Sequence, residues 1–189
     1  MNVLKGPLTF IPKIISGMCQ DVIFYKTKNF GTRVNNEISL LVIHNISLPP
    51  KIFGDSYIER FFLNSLPVDK HPYFLEIQNL EVSSHFCIKR DGTVVQFVSC
   101  LDKAWHAGVS LYKGREKCNE FSIGIELEGA DDIPYTDAQY QSLKYLTLSL
   151  RQSYPNIKDN ITGHSNIAPT RKTDPGIAFD WERFWNSIK

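Results

Sequence analysis

S-L-L-V-I-H-N, residues 39–45, is an unbroken apolar run closed by a polar pair. A continuous β-rich run of this length suits a central strand covered on both faces, since a strand with one wet face would alternate. The polar pair then emerges at the sheet's edge, where strand-end chemistry sits, and His44 is its first member. Outward from this strand, S-I-G-I-E-L-E (122–128) does alternate: Ile123, Ile125 and Leu127 point one way, Gly124, Glu126 and Glu128 the other. Both carboxylates are therefore expected on one strand face. Residues 83–97 read as a hairpin turned by Asp91-Gly92, and D-V-I-F-Y (21–25) as a short strand. Thr136 and Gln139 form a capping box that opens a helix burying Tyr140, Leu143, Leu146, Leu150 and Tyr154 before Pro155 stops it. A shorter helix, capped by Asp55, carries Tyr57, Ile58, Phe61 and Phe62, and a last one starts at Asp180 and buries Trp181, Phe184, Trp185 and Ile188. The sum is an α/β fold of mixed α+β type: a single domain with a central mixed β-sheet flanked by helices. Residues 39–189 form this domain, and residues 1–38 form an extension packed on it.

The bulk numbers agree with one ordinary globule. The chain has 189 residues, 42% hydrophobic and 22% charged, enough for a single core. Its 21 Lys and Arg against 20 Asp and Glu leave a formal charge of +1, which excludes the electrostatic footprint of a nucleic-acid binder and a polybasic membrane anchor. Cys19, Cys87, Cys100 and Cys118 are scattered without a C-x-x-C pair and read as reduced, mostly buried thiols. Pro7, Pro12 and Lys13 interrupt the apolar run near the amino terminus, so no secretion signal is expected there, and no stretch approaches the roughly 20 apolar residues of a membrane span. A cytoplasmic enzyme or binding domain follows.

The chemistry-bearing stretch is T-G-H-S-N-I-A-P-T-R-K-T-D-P-G (162–176), which collects His164, Lys172 and Asp174 in a loop stiffened by Pro169 and Pro175. If residues 172–174 are extended, Lys172 and Asp174 share a face. Histidines occur at 44, 71, 85, 106 and 164 only. A catalytic zinc site commonly takes three ligands from His and carboxylate and keeps a fourth position open. His44, His164 and Asp174 satisfy that count, although no local signature joins residues so far apart. By alternation alone, Glu126 and Glu128 are equally eligible as a catalytic carboxylate, and a solvated surface loop remains the bland alternative for 162–176.

Seven stretches occur together in one order: V-I-H-N-I-S-L-P-P (42–50), H-P-Y-F (71–74), V-S-S-H-F-C-I-K-R-D-G (82–92), A-W-H-A-G-V-S (104–110), C-N-E-F-S-I-G-I-E-L-E-G (118–129), T-G-H-S-N-I-A-P (162–169) and R-K-T-D-P-G (171–176). The combination resembles the zinc-dependent N-acetylmuramoyl-L-alanine amidases, most closely the type that acts on 1,6-anhydro-muropeptides during cell-wall recycling. That resemblance implies the mixed sheet shared with peptidoglycan-recognition proteins. It also implies one Zn2+ per chain on His44, His164 and Asp174, Glu126 as proton acceptor, Lys172 as stabiliser of the transition state, and a monomer acting on a small muropeptide. Asn45, Tyr73, Trp105 and Lys117 are then the expected substrate contacts, with His85 and His106 orienting the pocket or serving structure alone. Lys117 stands where relatives carry Arg and Glu81 where they carry another basic residue, which bears on the anionic stem peptide. The rival from another class is a non-catalytic peptidoglycan-binding module of the same fold, which has no need of all five metal and catalytic residues. A different zinc hydrolase on the same scaffold is the weaker third.

Overall fold

The computed structural model describes residues 5–189. Six strands form its main sheet: β1 (Ile23–Phe24), β2 (Leu40–Ile46), β3 (Phe86–Ile88), β4 (Val94–Gln96), β5 (Ser122–Glu128) and β6 (Ile161–Gly163). Their spatial order is β6-β2-β5-β3-β4-β1. Neighbours run parallel except for the β3–β4 hairpin. The sheet is mixed, as the sequence predicts. β2 lies between two parallel neighbours, and Leu40, Leu41, Val42 and Ile43 are all fully buried, the outcome expected of an unbroken apolar strand. The hairpin turns at Asp91-Gly92, where Gly92 takes φ +84° and the Asp91 carboxylate accepts the Thr93 N–H at 2.9 Å.

Five helices flank the sheet: α1 (Tyr57–Phe62), α2 (Pro72–Ile77), α3 (Asp137–Ser153), α4 (His164–Ile167) and α5 (Trp181–Ser187). The capping box of α3 is present in both directions, Gln139 N–H to Thr136 Oγ1 and Thr136 N–H to Gln139 Oε1, each 3.1 Å. Leu143, Leu146 and Leu150 of α3, Phe184 of α5 and Ile188 just beyond it pack on the sheet face that carries Leu41, Ile43, Ile123, Ile125 and Leu127. Phe61 and Phe62 of α1 and Phe74 and Ile77 of α2 cover part of the opposite face against Cys87 and Val95. Asp180 caps α5 through the Arg183 N–H at 2.8 Å. The predicted Asp55 cap is not formed. Ser56 holds the position without a side-chain bond, and the Asp55 carbonyl instead accepts Lys89 Nζ at 2.8 Å. α2 had no counterpart in the reading of residues 71–74; His71 caps it by accepting the Tyr73 N–H, with Pro72 at its first position.

The amino-terminal segment is tied in by named bonds. Leu8 is buried and donates its N–H to Ser142 Oγ at 2.9 Å, and Gln96 holds Cys19 N–H and the Gly17 carbonyl, both at 2.8 Å. β1 closes one edge of the sheet. All four cysteines are free and buried. Among the described residues no helix is long and apolar enough to cross a membrane.

Candidate metal centre and catalytic pocket

Strand register brings the distant residues together. In the parallel β2–β5 pair, His44 lies opposite Glu126. In the β2–β6 pair, Ile43 lies opposite Gly163, so His164, the next residue and the first of α4, comes level with His44. His44 and Glu126 lie two residues before the carboxyl ends of β2 and β5 and His164 directly follows β6, so all three gather towards the carboxyl ends of adjacent parallel strands, the place where open α/β sheets build their sites. Asp174 arrives on the following loop. Its carbonyl accepts the Ser165 N–H at 2.9 Å, and Gly163 lets that loop close in, since a Cβ there would stand 2.7 Å from Pro175 Cδ.

His44 Nδ1, His164 Nδ1 and Asp174 Oδ2 form a near-equilateral triangle, with sides of 3.0, 3.0 and 3.1 Å. The His164 Nε2 lies 3.1 Å from the Ala107 carbonyl, which can only accept, so the proton sits on Nε2 and Nδ1 presents a lone pair. That lone pair faces a carboxylate oxygen. Three lone-pair donors converging with too few protons between them make a cation site. Tetrahedral bonds of about 2.0–2.1 Å would set the donors about 3.3–3.4 Å apart, close to what is found. Burial pushes the His44 imidazole down to about 4, against the opposing pull of Asp174. Burial alone would raise the Asp174 carboxyl, but hydrogen bonds and charge from His164 and His44 hold it well below the usual carboxylate range.

The triangle lies on the wall of a cavity of about 370 Å³, which Glu126 and Lys172 also line. Glu126 is 8% exposed, and its Oε2 has no hydrogen-bond partner among the described residues. Burial, then the nearby Asp174 charge, raise its carboxyl well above the ordinary value, while Lys172 opposes this. Glu128 has a different fate. It is buried away from the cavity, accepts the N–H groups of Gly54 and Arg90 at 2.8 and 2.9 Å, and pairs with Lys89 at 3.3 Å. The two carboxylates that alternation left equivalent are thus separated by their partners, and neither faces open solvent.

Asn45, Tyr73 and Trp105 also line the cavity, and Asn45 Nδ2 donates to Asp131 at 2.8 Å. Lys117 is exposed beside the strands Leu111–Tyr112 and Arg115–Glu116 and is not part of the lining. Glu81 is likewise exposed and outside it, although Leu80 and Val82 on either side contribute. His106 Nδ1 lies 2.9 Å from His44 Nε2. His85 does not reach the cavity; its Nδ1 accepts the Gly124 N–H at 3.1 Å. Three residues to which the sequence assigns no role hold His106 from behind or support those that do: Ser122, Asn119 and the buried Arg33. No local pattern signals them, because their partners lie far away in the chain.

The family model for N-acetylmuramoyl-L-alanine amidase matches residues 34–177. A 1,6-anhydro-N-acetylmuramyl-L-alanine amidase of Salmonella typhimurium is 62% identical over 146 residues, 77% of this chain and 78% of that protein. A namesake from Haemophilus influenzae is 52% identical over 181 residues, 95% of this chain and 98% of that protein. The crystal structure of a selenomethionine AmpD derivative superposes with a TM-score of 0.91 at 50% identity, covering 93% of this chain and 99% of the other. AmpDh3 from Pseudomonas aeruginosa, in complex with an anhydromuramic pentapeptide, gives a TM-score of 0.62 at 26% identity, covering 86% and 63% respectively.

Proposed function

This chain belongs to the N-acetylmuramoyl-L-alanine amidase family, and from that premise we propose that it is a zinc hydrolase cleaving the amide between 1,6-anhydro-N-acetylmuramic acid and L-alanine in muropeptides recycled from the cell wall. His44, His164 and Asp174 hold the ion in this reading, with residues 39–189 as the catalytic domain and residues 1–38 as its extension. Zinc, when bound, supplies Lewis acidity that polarises a carbonyl and acidifies water. Glu126 takes the proton of the attacking water and delivers it to the leaving nitrogen of L-alanine. The Lys172 ammonium neutralises the oxyanion that develops on the former carbonyl oxygen. Asn45 offers its amide oxygen to the substrate, and Tyr73 and Trp105 cover the apolar face of the anhydro-sugar. The reaction belongs to the cytoplasm, with one chain acting alone.

The observation that carries the reading is the Glu126 carboxylate, buried, with one oxygen unpartnered, on the wall that bears the ligand triangle. An unpaired buried carboxylate destabilises a fold, so a module that only bound peptidoglycan gains nothing by keeping it. Incubating the protein with anhydro-muropeptide and weighing the products tests this directly. Release of free stem peptide, abolished by chelation, is expected. Intact substrate bound tightly would favour the non-catalytic module, and full turnover in metal-free protein would remove the zinc mechanism. Running intact peptidoglycan beside the anhydro-fragment tests the substrate class.

A further inference from the structure

Arg33 lies outside the stretches that carry the family likeness and outside the cavity, yet it is 3% exposed. Its guanidinium donates to four carbonyl oxygens: Cys100 (3.2 and 3.3 Å), Asn119 (3.1 Å), Glu120 (3.1 Å) and Ser122 (2.8 Å). All these acceptors are neutral. A buried cation without a carboxylate partner is costly to retain, so its place calls for a return elsewhere.

The gripped residues share one task. The Ser122 hydroxyl lies 3.1 Å from His106 Nε2. The Asn119 amide oxygen accepts the N–H groups of His106 and Ala107 at 3.2 and 2.8 Å. Arg33 therefore clamps the main chain of both residues whose side chains hold His106. The ring of His106 lies against Gly124, where a Cβ would come within 2.5 Å of His106 Cγ, and its Nδ1 meets His44 Nε2 at 2.9 Å. With the His44 Nδ1 lone pair turned to the ligand triangle, Nε2 must carry the proton and donate to His106 Nδ1. His106 Nε2 then donates to Ser122. The relay has one direction, and it fixes both tautomers.

We infer that Arg33 is a positioning residue for the metal centre: it fixes Ser122 and Asn119, these fix His106, and His106 sets the tautomer and tilt of His44. The inference rests on the reading of His44 as a zinc ligand. Outer partners of a ligating histidine typically contribute about 10–100-fold in metal affinity, and here the outermost partner comes from the amino-terminal segment.

The test is competitive titration of zinc into metal-stripped protein against a chromophoric chelator, with apo stability measured in parallel by urea unfolding. Arg33→Met and Ser122→Ala should each weaken zinc about 10–100-fold. The double variant should be little weaker than the worse single one, because both cut the same relay. Leu8→Ala, which opens a core gap in the same amino-terminal segment, should lower apo stability and leave zinc affinity unchanged. Zinc affinity within about twofold of the parent in Arg33→Met, or an equal loss in Leu8→Ala, overturns the inference. If the methionine variant does not fold, Arg33→Lys is read in the same way, and its failure to fold would assign Arg33 to folding alone. A parent protein that binds no zinc removes the metal reading itself, a result distinct from a parent that binds while Arg33 proves irrelevant.

Discussion

Glu126 and His44 are register partners on the two central strands. In a parallel pair such residues share a face, so a carboxylate and an imidazole stand side by side at the same depth of the cavity wall. Glu128, two residues further, has the same facing but ends beneath Lys89. One strand thus supplies one carboxylate free to accept a proton and one that is already spoken for.

A Glu126→Gln variant is expected to bind zinc with parent stoichiometry and to lose turnover by about 10²–10⁴-fold, the usual contribution of a positioned acid-base group. Product mass and bound metal, measured on the same sample, check both halves. Loss of metal along with activity would assign Glu126 to holding the site.

The converse holds for Glu128. Glu128→Ala leaves the Gly54 and Arg90 N–H groups without their acceptor, while Lys89 keeps Glu59 at 3.4 Å and the Asp55 carbonyl at 2.8 Å. A hydrogen bond to a charged acceptor contributes about 1.5–3 kcal/mol, and two are lost. Urea unfolding should therefore show a large drop in midpoint while turnover per folded molecule changes little.

These two outcomes also mark how far sequence could carry the argument. Alternation over 122–128 put both glutamates on one face correctly, because a strand's period is local. Alternation could not choose between them and the family resemblance alone named Glu126; the physical reason lies in Lys89, Gly54 and Arg90, which reach Glu128 through long-range folding. The buried run of β2 and the capping box of α3 were legible for the same local reason. The meeting of His44 with His164 left no local pattern and entered through the ligand count and the family resemblance, since it depends on the register of the β2–β6 pair. α2 is legible in principle, since His71 before Pro72 is a cap followed by a first-position proline. Arg33 left no pattern at all, as its acceptors are main-chain carbonyls that any sequence provides.

Lys172 is exposed at the rim of the cavity, so its removal should spare the fold. Lys172→Ala is expected to lower kcat by about 10²–10³-fold, the usual cost of losing one stabiliser of a developing oxyanion, with a melting temperature near that of the parent. A change confined to KM would place the ammonium in ground-state binding.

Acid should unfold the metal-free protein from an unusual direction. Burial, then the Arg33 charge, push His85 from 6.5 down to about 3. The folded state refuses a proton that the unfolded chain accepts below pH 6.5. Stability from this group is complete above 6.5 and falls progressively as pH drops towards 3, by up to about 1.4 kcal/mol per pH unit. His85→Gln retains an acceptor for the Gly124 N–H and should flatten the slope of urea-unfolding free energy against pH in that window. An unchanged slope would assign the acid sensitivity to other groups.

Gly163 tests the seating of the Asp174 loop. A Cβ at this position would stand 2.7 Å from Pro175 Cδ, in a ring joined directly to Asp174, and the strand on one side and α4 on the other leave the backbone little room to retreat. Gly163→Ala should cost about 1–3 kcal/mol by overpacking. It should also weaken zinc disproportionately, because the displaced proline carries the carboxylate with it. Comparing its zinc affinity with that of Leu8→Ala at matched apo stability separates the two effects. Equal affinities would mean that the loop gives way at Pro175 and leaves Asp174 where it was.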